Sequence, residues 1–216
     1  MIDQAVITID SNYLIQAAVL VRDLNLYSDI RTLHVFTQNC DKNFEYSFLK
    51  LVSNRKFEIC FYPIDDDLKE LNNISPNRGI PTVTYGKVLI AKKLPTSIEK
   101  ILYLDIDIKI REKIDSLLAT EFHRTIGAVR QKPLLVQNES GLFIDRYFNA
   151  GVLLLNLLSW RTRNLDAKIP QLLDSRGPFK YMDQDLLNIV CENDWHELDQ
   201  RFNFFRNLHF VCIQKD

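Results

Sequence analysis

A strand-like apolar stretch, "KILYLDIDIKI" at residues 100–110, runs straight into two aspartates, Asp105 and Asp107. In an extended backbone, residues two apart point to the same face, so the two carboxylates are expected to project the same way. Two like charges that close repel each other unless a cation or a proton lies between them. The stretch therefore indicates a buried strand whose end needs a partner for its carboxylates.

Three interpretations of the paired aspartates stay open from the residues alone. They can be solvated surface charges, since a lone D-x-D is a weak signal. They can be the nucleophile and acid/base of a haloacid-dehalogenase-type phosphatase, but that pattern stands near the N-terminus and has Thr or Val where this chain has Lys109. They can also bind Mg²⁺ or Mn²⁺ shared with a diphosphate, because these ions prefer carboxylate and phosphate oxygens. Strand ends of open α/β sheets commonly bind nucleotides, which favours the third interpretation.

The composition is that of an ordinary globular protein of 216 residues, with 46% hydrophobic residues and a formal net charge of −1. No dense Lys/Arg block is present, so no nucleic-acid partner is expected. The first residues lack a secretory signal, and no apolar run approaches the about 20 residues that span a bilayer, so a cytoplasmic protein is expected. The cysteines form no C-x-x-C pair and are expected to be small core residues. They are Cys40, Cys60, Cys191 and Cys212.

Strand-like and helix-like segments alternate along the first half of the chain. The alternation predicts an α/β fold with a mostly parallel sheet and helices on both faces, and no linker divides the single domain predicted over residues 1–216. The predicted strands are 5–9, 32–37, 57–64, 100–104, 125–130 and 151–157. The predicted helices are 13–27, 44–54, 84–94 and 183–193, with a long loop at 65–81.

Four stretches in order make the chain resemble the family 8 glycosyltransferases, the group of glycogenin and the bacterial lipopolysaccharide galactosyl- and glucosyltransferases. They are "ITIDSNYL" (7–14), "KILYLDIDIKI" (100–110), "YFNAGVLLLNLLSWR" (147–161) and "DQDLLNIV" (183–190), with "RFNF" (201–204) after them. The resemblance implies a GT-A fold with a Rossmann-like central sheet. It also implies retaining transfer of a hexose, glucose or galactose, from a UDP-sugar with the help of Mn²⁺ or Mg²⁺.

The resemblance assigns roles to residues at the ends of the first strand and of the D-x-D strand. Asp105 and Asp107 are implied as the metal ligands, and Ile106 between them as part of the donor site. Asp10, Asn12 and Tyr13 are implied as uracil and ribose contacts. From the residues alone, Asp10 is equally a helix N-cap, and Tyr13 a packed aromatic residue that opens a helix.

The later motifs are implied to surround the donor sugar. Asn149, Ala150 and Gly151 match the Asn-Ala-Gly of the family; alternatively, Asn149 is a turn residue bonded to its own backbone, and Gly151 permits an unusual backbone angle. Asp183 and Gln184 match the pair beside the anomeric carbon, and their alternative is an acidic helix start. Gln184 is implied to stabilise an oxocarbenium-like transition state while Asp183 holds sugar hydroxyls.

The sequence departs from the family pattern before D-x-D. Family members usually have Arg in a context like "TYAR", whereas this chain has "TYGK" with Lys87. Lysine keeps the charge but loses the bidentate fork of arginine. Lys87 is therefore either a weaker contact to the donor or an ordinary solvated lysine of the helix.

A second departure lies at the end, where family members supply a third metal ligand from a segment like H-x-x-G-x-x-K-P-W. This chain ends in "LHFVCIQKD", and its His209 is expected to be structural. Two hypotheses follow: an active transferase acting on a saccharide or lipid-linked glycan, as in lipopolysaccharide or other surface-glycan synthesis, and an impaired or truncated relative that only binds UDP-sugar. The location implied is the cytoplasm, including the inner face of the membrane.

Overall fold

A computed structural model describes residues 1–71, 73–74, 81–131, 142–206 and 210–213, with backbone alone for residues 205–206 and 210–213. The strands are β1 Gln4–Asp10, β2 Thr32–Gln38, β3 Glu58–Pro63, β4 Lys100–Leu104, β5 Ile108–Ile110, β6 Ile126–Arg130, β7 Phe148–Asn156, β8 Trp195–Leu198, β9 Phe204–Arg206 and β10 Phe210–Ile213. The α-helices are Leu14–Tyr27, Lys42–Leu51, Asp65–Lys69, Ile90–Lys93, Asp115–Leu118, Leu157–Thr162, Leu165–Arg176 and Met182–Val190. The 3₁₀-helices are Ser11–Tyr13, Thr82–Leu89 and Gln200–Asn203.

The central sheet has seven strands in the order β3-β2-β1-β4-β7-β6-β8, and β5, β10 and β9 form a smaller sheet. Strands β3, β2, β1 and β4 run parallel, and β8 runs parallel to β6. Strand β7 runs antiparallel to both of its neighbours, β4 and β6. The predicted mostly parallel α/β sheet is confirmed, and β7 is the strand that departs from the parallel direction.

The reversed direction of β7 decides where functional side chains meet. Leu104 at the end of β4 is paired with Val152 in the middle of β7, and the next residue, Asp105, bonds through its N to the Gly151 carbonyl, so the first half of β7 runs past the end of β4. The carboxyl ends of β1 and β4 and the amino end of β7 therefore share one edge of the sheet. The sequence analysis placed this strand at 151–157; it begins at Phe148, so the whole Asn-Ala-Gly motif belongs to the strand.

Side chains of the central strands point alternately into two hydrophobic cores, one on each face of the sheet. Val6, Tyr103 and Leu153 point to one core, and Ile7 and Leu102 point to the other. The predicted burial of cysteine holds for Cys191, whereas Cys40 and Cys60 are half-buried and the side chain of Cys212 lies outside the described residues. No helix in the described ranges is long and apolar enough to cross a membrane.

Two of the predicted segments differ from the structure. The predicted loop at 65–81 contains a short helix, Asp65–Lys69, whose first turn carries three aspartates that favour a helix N-terminus. The predicted helix at 84–94 is a 3₁₀-helix over Thr82–Leu89 followed by a single α-turn. Gly86 explains the close packing of the 3₁₀-helix, since a Cβ there would come within 2.8 Å of Thr8 and Ile64.

The buried His34 predicts an acid-sensitive contribution to stability. Its ring nitrogens bond to Gln4 Oε1 (2.8 Å) and the Tyr62 hydroxyl (3.1 Å), and burial lowers the pKa of His34 from 6.5 to about 4. The unfolded chain therefore takes up this proton at a higher pH than the folded chain. The stability present above pH 6.5 is lost as the pH falls through about 4.

We therefore expect the wild type to lose about 1–2 kcal/mol more unfolding free energy between pH 7 and 4.5 than a His34→Asn variant, after allowance for solvent screening. Urea unfolding at the two pH values measures this difference. The exposed His123→Asn variant is the control and should follow the wild type. Equal pH dependence of His34→Asn and wild type would contradict the assignment.

Candidate functional site

Six of the predicted site residues line one small cavity at the edge where β4 ends and β7 begins. The cavity measures about 130 Å³ and also contacts Thr84 and Tyr181. The six residues are Lys87, Asp105, Asn149, Ala150, Asp183 and Gln184. A larger open cavity of about 810 Å³ lies at the opposite end of β2 and β3, beside Thr32 and Glu58, and contains none of the predicted residues.

Lys87 lies buried between two carboxylates that are far apart in the sequence. Its Nζ is 2.6 Å from Asp183 Oδ2 and 3.0 Å from Asp105 Oδ1, and only 4% of the residue is exposed. Burial disfavours the charged ammonium, but Asp105 and Asp183 outweigh burial and raise the pKa of Lys87. The interpretation of Lys87 as a solvated helix residue is therefore wrong, because the tightly packed 3₁₀-helix directs it into the site.

Asp105 is held on one side of its carboxylate. Oδ1 accepts a hydrogen bond from the Tyr103 hydroxyl at 2.7 Å and also faces Lys87, while the backbone N of Asp105 donates to the Gly151 carbonyl. Strand β4 ends at Leu104, and a turn closed by Ile108 N and the Asp105 carbonyl follows. The expectation that both aspartates lie on one extended strand is therefore wrong.

Asp107 lies in this turn with an exposed side chain, and Ile106 packs partly against the core. Partial desolvation and the charge of Asp105 raise the pKa of Asp107. The charge of Asp105 is the second cause of this shift, after desolvation, so the two carboxylates interact although they lie in a turn and not on one strand.

Asn149 and Gly151 pack directly against Asp105. Asn149 Oδ1 accepts bonds from Gly151 N (2.8 Å) and from Asn203 Nδ2 (2.7 Å). A Cβ on Gly151 would lie 3.0 Å from Asn149 Oδ1 and 3.2 Å from Asp105 Oδ2, and the φ of Gly151 lies outside the left-handed region. Close approach rather than an unusual backbone angle therefore explains the glycine. Asn149 does bond to the nearby backbone, as one interpretation expected, but it does so from strand β7 and not from a turn.

Asp183 and Gln184 belong to the first turn of helix Met182–Val190 and do not cap it. Burial, partly offset by Lys87, raises the pKa of Asp183. Gln184 Oε1 accepts a bond from Ala150 N at 3.0 Å, and its Nε2 donates to Gln131 Oε1 and to the Tyr147 hydroxyl. These bonds fix the orientation of the amide beside the cavity.

Asp10, Asn12 and Tyr13 lie at the same sheet edge, after β1, and do not line the cavity. Asp10 is buried and accepts a bond from Asn12 N at 2.8 Å, so it caps the 3₁₀-helix Ser11–Tyr13. Asn12 is exposed, and Tyr13 packs partly against one of the two cores. The interpretations of Asp10 as a helix cap and of Tyr13 as a packed aromatic residue are therefore confirmed. The exposed surfaces of Asn12 and Tyr13 can still contact a ligand.

The donor set of the site fits a hard divalent cation that is shared with a substrate. Asp105 Oδ2 lies beside Gly151 and accepts no hydrogen bond from a described residue, and Asp107 adds a second carboxylate. Within the described residues, no group of three His, Cys, Asp or Glu side chains could hold a metal ion by itself. Two carboxylates with substrate oxygens match the way Mg²⁺-type ions are bound at phosphate sites.

Several polar residues of the site were not predicted from the sequence. Tyr103 was counted among the apolar residues of its strand, and Asn203 lay in the quoted "RFNF" without a role. Tyr147 joins Gln184 and Asp185 through its hydroxyl. A polar atom inside an otherwise apolar run was the signal available for Tyr103. His209 lies outside the described residues.

The fold is of the GT-A type and is shared with solved glycosyltransferase structures. A solved structure of an active-site mutant of LgtC aligns with a TM-score of 0.80 at 24% identity, over 93% of this chain and 74% of that one. LgtC galactosyltransferase in complex with donor and acceptor sugar analogs aligns with a TM-score of 0.75. The family model "Glycosyl transferase family 8" matches residues 4–210, and the chain belongs to this family.

Curated relatives carry related names. The chain is 29% identical over 208 residues to a lipopolysaccharide 1,2-glucosyltransferase of Escherichia coli, covering 90% of this chain and 60% of the relative. It is 27% identical to a lipopolysaccharide 1,3-galactosyltransferase of Salmonella typhimurium, covering 94% and 63%. The chain thus spans about three fifths of the length of these relatives.

Proposed function

We propose that this chain is a retaining hexosyltransferase that moves glucose or galactose from a UDP-sugar to a glycan acceptor. The observation that carries the proposal is the convergence of three distant motifs on one cavity: Asp105 after β4, Asn149 in β7, and Asp183 with Gln184 at a helix start. This cavity lies at strand ends, where nucleotides bind in open α/β sheets. The relatives named as lipopolysaccharide glucosyl- and galactosyltransferases support the sugar class.

The nucleotide and diphosphate would lie across the edge formed by β1 and β4. Asn12 and Tyr13, on the segment capped by Asp10, present the surface for uracil and ribose. Asp105 and Asp107 would hold Mn²⁺ or Mg²⁺, which neutralises charge on the leaving diphosphate when bound. Lys87 would add a fixed positive charge behind Asp105.

The sugar would occupy the cavity between Asn149 and Gln184. The C1–O bond to the diphosphate breaks while a bond from the acceptor oxygen to C1 forms, and the acceptor proton goes to the leaving diphosphate oxygen. Gln184 is a poor nucleophile, so we favour departure and attack on the same face. Its amide, held by Ala150 N, would stabilise the positive charge that develops at C1. Asp183, held by Lys87, would accept bonds from sugar hydroxyls.

We also propose that residues 1–216 work as one transferase domain, because the described strands of the central sheet run from Gln4 to Leu198. The acceptor would be a saccharide or a lipid-linked glycan, reached in the cytoplasm or at the inner face of the membrane. A second candidate is a relative that binds UDP-sugar without transfer. Lys87 favours it, because a buried ammonium already supplies part of the charge that a cation would bring to Asp105.

Incubation of the chain with UDP-glucose or UDP-galactose tests the proposal, with Mn²⁺ or with EDTA. We expect Mn²⁺-dependent release of UDP, and an α-configured sugar product by NMR if an α-linked donor is used. Binding of both donors without release would favour the binding-only candidate. Neither binding nor release would contradict both.

Gly151→Ala is expected to weaken Mn²⁺-dependent UDP binding about 10-fold, because its Cβ would displace Asp105 Oδ2 and Asn149 Oδ1. Calorimetric titration measures the change. Gly127→Ala is the matched control. Its Cβ would lie 3.2 Å from Leu154 Cβ, so the variant adds similar crowding in the central sheet, but in the core and not at the site. Equal UDP affinity in the two variants would show that the space beside Gly151 does not serve the donor.

A further inference from the structure

A chain of buried hydrogen bonds behind Asp105 has no role in the function proposed so far. The Tyr103 hydroxyl donates to Asp105 Oδ1 at 2.7 Å, and Thr8 Oγ1 lies 3.0 Å from the same hydroxyl. Thr8 and Tyr103 belong to neighbouring parallel strands, β1 and β4, and both are buried. The chain therefore runs from the middle of the sheet to the edge that carries the site.

The direction of these bonds follows from the chemistry of the groups. The Tyr103 phenol has one proton to donate, and the carboxylate of Asp105 offers only acceptor oxygens. That proton goes to the Asp105 carboxylate, which can only accept while it is ionised. Thr8 must then donate its own proton to the phenol oxygen, and the three groups form one directed chain.

Two donors converge on the same oxygen of Asp105. Lys87 Nζ lies 3.0 Å from Oδ1, the oxygen that also accepts from Tyr103, and the ammonium sits 4.9 Å from the centre of the Tyr103 ring. Oδ2 instead lies beside Gly151, 3.2 Å from where a Cβ on that glycine would stand, and no described residue donates a hydrogen bond to it. The carboxylate is therefore held at Oδ1, and Oδ2 is the oxygen left for a ligand.

We propose that Tyr103 is a positioning residue, held by Thr8, that together with Lys87 fixes Oδ1 of Asp105 and so presents Oδ2 to the cation and diphosphate of the donor. The inference rests on the proposed function and adds a residue to its site. Without the phenol, Lys87 alone holds Oδ1, and the carboxylate can turn about its terminal bond. A mobile carboxylate binds a cation less well because its orientation must be fixed on binding.

Calorimetric titration of UDP into the full chain, with Mn²⁺ and with EDTA, tests this role in Tyr103→Phe. The ring stays, so core packing is kept, and only the hydroxyl is lost. We expect Mn²⁺-dependent UDP affinity to fall about 10-fold, because the lost bond went to a charged group, while affinity in EDTA stays unchanged. Thr8→Val, which removes the donor behind the phenol, should change affinity in the same direction by a smaller factor.

Tyr62→Phe is the matched control, since its hydroxyl bonds to His34 Nδ1 in strand β2, away from Asp105. It should bind Mn²⁺ and UDP as the wild type does. If Tyr103→Phe keeps the full Mn²⁺-dependent UDP affinity of the wild type, the positioning role is overturned. The same holds if the variant loses as much UDP affinity in EDTA as in Mn²⁺. Either result leaves the proposed function standing. A wild type without Mn²⁺-dependent binding would overturn the proposed function, and the positioning role with it.

Discussion

Lys87→Met is expected to lower the free energy of unfolding at pH 7 by about 3 kcal/mol, because it leaves the buried Asp183 and the partly buried Asp105 without their cation. Lys87 is buried and lies within 3.0 Å of both Asp105 and Asp183. Methionine keeps most of the side-chain volume, so the loss reports the charge rather than a cavity. Chemical denaturation of the variant and the wild type measures it.

The loss of unfolding free energy caused by Lys87→Met should depend on pH and be largest near neutral pH. Burial already raises the pKa of Asp183 above 3.8, and loss of Lys87 removes the group that opposes this shift. A carboxyl group with a raised pKa in the folded state destabilises it at neutral pH and ceases to do so once protonated. The deficit should therefore shrink as the pH is lowered from 7 toward the ordinary carboxyl range near 4.

Lys92→Met is the matched control for this variant. Lys92 also contacts two acidic side chains, Asp67 at 3.2 Å and Glu70 at 3.3 Å, but its side chain is half exposed. Exposed pairs of this kind contribute about 0–1 kcal/mol, so the control should stay close to the wild type. If Lys87→Met is as stable as Lys92→Met, the ion cluster does not stabilise the fold.

Gln184→Ala is expected to lower the turnover of sugar transfer by about 10²–10³-fold, the effect of removing one oriented dipole from a site of developing charge. UDP affinity should change little, because the residue lies beside the sugar part of the cavity and not near the proposed nucleotide surface of Asn12 and Tyr13. Steady-state rates of UDP release and calorimetric UDP affinity separate the two effects. The function proposed here requires turnover to fall far more than affinity.

Gln38→Ala is the control for Gln184→Ala. Gln38 ends β2 at the same sheet edge and bonds through its amide to Thr82, but it does not line the cavity. Its replacement should leave turnover within a few-fold of the wild type. A similar loss in both variants, or an equal fall of turnover and UDP affinity in Gln184→Ala, would show that Gln184 acts only through the fold.

The sequence predicted the α/β class from local pattern, whereas the meeting of the site motifs was implied by the family resemblance. Apolar runs that end in polar residues indicated β1 and β4, and neighbouring parallel strands bring such ends to one edge. The reversed direction of β7 was not predictable in this way. Its apolar sequence buries both faces and is compatible with either direction, so only pairing across the sheet decides it.

The burial of Lys87 was also not predictable from the sequence. Lysine shortly before "AKK" is typical of a solvated helix, whereas Lys87 is buried on a 3₁₀-helix whose Gly86 packs on Thr8, a contact between distant residues. The contact of Tyr103 was not predictable for the same reason, since only the structure shows that its hydroxyl donates a hydrogen bond to Asp105. The family motifs indicated the residues that we propose to face the donor, whereas the residues that hold them depend on tertiary contacts.

Calorimetric titration of UDP, with and without Mn²⁺, into the wild type and an Asp105→Ala/Asp107→Ala variant tests the donor site most directly. We expect the wild type to bind UDP tightly only with Mn²⁺, and the double variant to lose this dependence. Thermal unfolding of the double variant verifies that it is folded. Metal-independent UDP binding by the wild type, or Mn²⁺-dependent binding that survives in the folded double variant, would contradict the assignment of these two aspartates to the donor site.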